Sequence, residues 1–257
     1  MRRFTVRQAA MNRIALKRVV FAFTGLLAIA GAVSADPPPD AAPGQPDLTG
    51  AWFIVHPPHA LRTIDGSLPP LTPSARTVYE QHVSDAERGA RATFDGTTRC
   101  LPPGLPRLML EKKPFEILQR PKVIYFVSGD NRLPRRAYLN EKLPDDPDPL
   151  WLGYSVARWD GGTLVIDSAG FNDETVLDDA GLPHSDQLHL TERYTLSGDG
   201  KHMAAEFTIA DPKDYAHPWS FKAEYVRRPG YEIPPEICMD NPARRAAAMK
   251  ATEEAVK

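Results

Sequence analysis

LHLTERYTLSGDGKHMAAEFTIADPKDYAHPWSFKAEYVR, residues 188–227, contains three runs of two-residue alternation separated by turn-forming connections. Leu188, Leu190, Tyr194 and Leu196 share one face of the first run, Met203, Ala205, Phe207 and Ile209 one face of the second, and Trp219, Phe221, Ala223 and Tyr225 one face of the third. That period is the mark of strands buried on one side. Gly198-Asp199-Gly200 supplies the flexible residues of a turn, and connections this short make neighbouring strands antiparallel.

Working outward, the same signals predict strands at Asp47–Val55, Phe115–Gln119, Lys122–Ser128, Arg135–Asn140, Tyr154–Arg158 and Thr163–Ser168. Arg120-Pro121, Gly129-Asp130-Asn131 and Asp160-Gly161-Gly162 punctuate them. After the first strand, Thr72 as N-cap and Pro73 as first helical residue open a helix expected to reach about Arg91. Cys100 to Pro106 holds three prolines and a glycine, which excludes regular structure there. Nine strands joined by hairpins predict an all-β, antiparallel barrel spanning 47–240, with a helical insertion after strand one; a sandwich is the alternative. Pro242 opens a short C-terminal helix in the tail, 241–257.

Residues 1–35 read as a secretory signal: Arg13, Lys17 and Arg18 precede an apolar run, Val19–Val33, that ends in Ala32-Val33-Ser34-Ala35. Its fifteen residues fall short of the about twenty that a membrane helix needs. Either Met1 or Met11 serves as initiator. The Pro-rich stretch 36–46 is expected to be disordered, and the protein to be periplasmic or secreted, with no membrane span after cleavage. Six of the 31 Lys and Arg lie in the leader, leaving 25 against 33 acidic residues and a net charge of −8 on the mature chain. An acidic body without a basic run excludes nucleic acid as the expected partner. An even cysteine count in an exported chain favours one disulfide, Cys100 to Cys238; two buried thiols are the alternative.

Two resemblances add to this. Gly50-x-Trp52 on the first strand resembles the G-x-W feature of the lipocalin and wider calycin families, which implies a tryptophan at the barrel floor beneath an arginine of the last strand, here Arg227. The run WDGGTLVIDSAGFNDETVLDDAGLPHSD, 159–186, resembles an uncharacterised bacterial exported family. That likeness extends to DLTGAW near residue 47, Cys100-x-Pro-Pro-Gly, Pro114-Phe115-Glu116, Glu192-Arg193, Asp211-Pro212, Pro218-Trp219 and Cys238. It implies export but no activity.

The candidate chemistry gathers in the polar connection after Ser168 and the strand that follows. Glu192 falls on the apolar face of its strand, and a carboxylate there must be paired, hydrogen-bonded or protonated. It is either a general acid or base with a raised pKa, or the partner of a buried arginine such as Arg135, Arg158 or Arg227. His184, oriented by Asp186, is the other candidate for proton transfer. Arg135 and Arg136 could hold an anionic group, with Tyr138, Tyr154, Asn172, Asp173 and His189 as further ligand contacts. His184 and His189 lack the spacing of a metal site, so neither metal nor cofactor is expected. The expected partner is a small molecule. These residues predict a cofactor-free acid–base enzyme, a lyase, isomerase or hydrolase acting on a small anionic or aromatic molecule; the alternative is a non-catalytic, lipocalin-like carrier.

Overall fold

A computed structural model describes residues 44–129, 133–234, 237–238, 241–243 and 246. The expected signal sequence, most of the Pro-rich stretch, the Asp130-Asn131 turn and most of the C-terminal helix expected from the sequence lie outside the described residues. Nine strands form a closed barrel in chain order: β1 Gly50–Ile54, β2 Phe115–Gln119, β3 Val123–Ser128, β4 Pro134–Leu139, β5 Tyr154–Asp160, β6 Thr163–Ala169, β7 His189–Leu196, β8 His202–Ala210 and β9 Trp219–Arg227. β9 pairs with β1, Trp52 lying opposite Arg227, and this closes the ring.

The expectation of a wholly antiparallel barrel is corrected at one junction: β4 and β5 run parallel, with Ala137 opposite Ser155. The cause is geometric. Each antiparallel junction reverses direction, and one circuit of the ring must restore it, so antiparallel junctions must be even in number. Nine strands therefore require a parallel pair. Residues 140–153 provide the crossover of about a dozen residues that such a pair needs.

This order makes the two ends unequal. One carries the short links 120–122, 161–162 and 197–201 and the start of the crossover. The other carries the long links 55–114, 170–188 and 211–218. The first long link holds α1, Pro73–Glu87, two 3-10 turns at Arg91–Thr93 and Gly96–Arg99, and a short α2, Arg107–Leu110, which the sequence patterns did not reveal. Thr72 caps α1 as expected, its Oγ accepting from Ala75 N–H at 3.3 Å. The helix stops before Arg91 because Gly89 adopts φ +75°, and the N–H groups of Gly89 and Ala90 fold back onto the carbonyls of Ala86 and Asp85.

Inward-facing side chains fill the bore: Trp52, Phe126, Tyr194, Phe207 and Tyr225 are all fully buried. Trp52 donates its indole N–H to Leu48 O at 2.8 Å, and the Arg227 guanidinium lies 4.7 Å from its ring centroid. Trp52 and the last-strand arginine therefore meet as the sequence suggested. Among the described residues no helix is long and apolar enough to cross a membrane.

Cys100 and Cys238 form a disulfide across 138 residues, tying the turn after Arg99 to the C-terminal segment. Closing so long a loop restricts the unfolded chain, and replacing both cysteines by alanine should cost about 2–5 kcal/mol. Urea unfolding of the double variant, and of the reduced protein, should show the same loss.

Candidate functional site

Glu192 is sealed inside the barrel at 0% exposure, and Arg135, at 2%, faces it from across the bore. The guanidinium grips the carboxylate with both terminal nitrogens, Nη1 donating to Oε1 at 3.0 Å and Nη2 to Oε2. Tyr194 O–H donates to Oε1 at 2.7 Å, and the hydroxyls of Ser155 and Ser168 accept from Arg135 at 3.0–3.3 Å. Burial and the neighbouring Glu192 charge push the Tyr194 phenol well above its usual range. Of the two roles expected for Glu192, the geometry matches the buried ion pair, with Arg135 as partner. Arg158 pairs instead with Asp167, and Arg227 covers Trp52.

The ligand contacts expected around Arg135 do not converge. Arg136 is exposed on the outer face of β4. Tyr138 and Tyr154 stack on each other at 5.2 Å, and Tyr154 O–H donates to Glu141. Asn172 is half-buried, its backbone N–H bonded to Leu150 O, and His189 starts β7.

The connection 170–188 is polar in sequence, yet much of it is buried. Val176, Leu177, Leu182 and Leu188 join the core. Asp178, 2% exposed, accepts from the N–H groups of Leu61, Ala180 and Leu182 at 2.8–3.0 Å, stapling this connection to the first long link. Burial raises its pKa. Asp179 meets Arg107, whose guanidinium also binds both oxygens of Asp95. These bonds hold the Asp95 carboxyl far below the usual range despite its burial. Asp178 and Asp179 are thus used in holding this end together, while Asp173, Glu174 and Asp186 remain exposed.

His184 is placed differently. It is 5% exposed, with Nδ1 3.0 Å from Ser185 O and Nε2 2.7 Å from Thr175 Oγ. A carbonyl can only accept, so Nδ1 carries the proton and the Nε2 lone pair receives the Thr175 O–H. Burial lowers the imidazole pKa below 6.5, so the ring is neutral at pH 7. Gly104, at φ +77°, comes so close that a Cβ there would lie 2.3 Å from Thr175 Oγ, which holds the threonine in place. The orienting acid is not Asp186, which is exposed with Lys213 Nζ at 3.5 Å. It is Asp211, which accepts from Ser185 N–H at 2.6 Å and Ser185 O–H at 2.7 Å, fixing the residue whose carbonyl fixes the imidazole.

His184, Thr175 and Ser185 line a cleft of about 530 Å³ at the elaborated end, outside the bore. α1 forms one wall through Ser74, Val78 and His82, and Asp173 lies on its rim. Of the expected site residues, His184 and Asp173 meet here. Thr175, Asp211, His82 and Arg99 were not singled out from the sequence; Thr175 and Asp211 carried a signal only as parts of the resemblance, in the run 159–186 and in Asp211-Pro212. Among the described residues no cluster of three or more His, Cys, Asp and Glu is placed to hold a metal ion. No family model matches the chain, and no curated protein is significantly similar to it.

Two outcomes follow. Arg135→Met strands the Glu192 charge and should cost about 3–5 kcal/mol in urea unfolding, much of it regained in Arg135→Met/Glu192→Leu. His184 should also make stability depend on pH. Its folded pKa lies below the unfolded value, so the unfolded chain takes up the proton first, and stability should fall as pH drops below 6.5. His184→Gln should remove that part of the slope.

Proposed function

We propose that this chain is an exported small-molecule enzyme working by acid–base chemistry at the elaborated end of the barrel, with His184 as the proton-transfer group. The observation that carries this reading is the tautomer: a neutral imidazole, locked at Nδ1 by a backbone carbonyl, presents a basic Nε2 on the wall of a cleft. A group neutral at pH 7 can accept the proton of Thr175 O–H while that hydroxyl takes one from a substrate O–H or C–H in the cleft. Asp211 and Ser185 position the ring. Hydrolase, lyase and isomerase chemistry all use such a step.

Two further parts of the proposal rest on other features. Periplasmic or extracellular location is supported by the signal-like leader and by a disulfide, which persists in oxidising compartments. A distant calycin relationship is supported by Trp52 beneath Arg227. The bore, however, is occupied by aromatic side chains and the Arg135–Glu192 pair, so the ligand is assigned to the mouth. The alternative is a carrier without turnover that uses the same cleft.

The test is turnover in D2O. Mature protein incubated with a library of small organic molecules should incorporate solvent deuterium into one class, or cleave it, as followed by NMR. His184→Gln should reduce that rate by about 10²–10⁴-fold with the fold intact, whereas Asp186→Asn should leave it unchanged. A rate that survives His184→Gln would sink the proposal. Binding without turnover would establish the carrier.

A further inference from the structure

Every arginine expected to hold an anion turned out to be occupied or misplaced, yet the cleft contains one that is neither. Arg99 ends the second 3-10 turn and lines the same cleft as His184. Its Nε is buried and meets no hydrogen-bond acceptor, and the side chain has no hydrogen bond or ion pair among the described residues. The one acid on its own turn cannot neutralise it, because Asp95 is held by Arg107 and Arg91. A buried Nε–H without an acceptor is costly, and the planar fork of a guanidinium suits a carboxylate.

The turn bearing Arg99 is held firmly. Asp95 caps it through Thr97 N–H at 3.0 Å, and Cys100, the next residue, is locked into the disulfide. The cleft runs along α1 from Ser74, near the segment whose Asp214 carbonyl accepts from Thr72 N–H, to His82, whose ring stacks on Phe94 at 4.4 Å. Eight helical residues span about 12 Å, enough for one ring and a short side chain. Phe94, Val78, Leu101 and Val176 give the cleft an apolar surface, while Asp173 and Glu174 are exposed along it. Acids at the rim disfavour ligands carrying several negative charges.

We infer that Arg99 is the carboxylate-recognition residue of this cleft, and that its substrate is a small monocarboxylate with an apolar or aromatic body. This rests on the cleft being the substrate site proposed above. It names what Arg99 binds, whereas the earlier proposal names what His184 does.

The experiment measures binding by calorimetry, independently of turnover, with benzoate, phenylacetate and 3-phenylpropionate as probes. The matching neutral amides and citrate are the comparisons. At least one monocarboxylate should bind more tightly than its amide and than citrate. Arg99→Gln should weaken that acid by about tenfold or more and leave the amide unchanged, as expected for loss of a charge-assisted pair. Arg99→Lys should keep part of the preference, because it restores charge without the fork. Unfolding of each variant checks that the cleft is intact. Acids binding no better than amides, no probe binding, or an unaltered Arg99→Gln would each overturn the inference. Carboxylate binding through Arg99 without His184-dependent turnover would leave it standing and remove the acid–base proposal. Turnover of neutral compounds unaffected by Arg99→Gln would do the reverse.

Discussion

A ring of nine strands can close only if an even number of its junctions are antiparallel, and much of this molecule follows from that constraint. The ring closes through β1 and β9, so one parallel pair is required, and it falls between β4 and β5. The crossover 140–153 then returns the chain to the end from which β4 began. All the long links consequently gather at that end, while the other is trimmed to tight turns. The candidate site lies where the topology collected spare chain, the usual relation of functional loops to a rigid scaffold.

Two sets of buried polar groups share this scaffold and play different parts. Inside the bore, Arg135, Glu192, Tyr194 and two serines satisfy one another. Breaking that set leaves a charge without solvent or partner, so its members report on stability. At the mouth, His184 is buried but uncharged, and its hydrogen bonds fix a tautomer instead of neutralising a charge. The first arrangement resists change of protonation; the second couples a neutral base to the Thr175 hydroxyl at the cleft wall.

The strands were legible because alternation and turn residues are local signals, and all nine lie where the sequence placed them to within a few residues. The parallel junction was not, since periodicity fixes which face is buried but not which neighbour runs alongside. The mouth was harder. Asp186 looked like the partner of His184 by proximity in sequence, but the acid ordering that corner comes from 26 residues beyond Ser185. Hairpin register held part of that answer: β7 and β8 pair from His189 opposite Ala210, which brings the segments before 189 and after 210 to the same end of the barrel. Glu192 was legible as anomalous, and pairing it with Arg135 required the three-dimensional bore. Arg99 had no local signal, because what distinguishes it is the absence of a partner in space among the described residues.

The pairing of β1 with β9 also governs how the chain can fold. Its two partners are the first and last strands, so neither edge of the sheet is covered until Arg227 has emerged. A partial chain of eight strands would expose two open edges, the kind of surface that recruits other strands. Contacts this distant in sequence make folding slow, on a scale of milliseconds to seconds for β-rich topologies. An assembly of this kind gains from remaining unfolded until synthesis is complete.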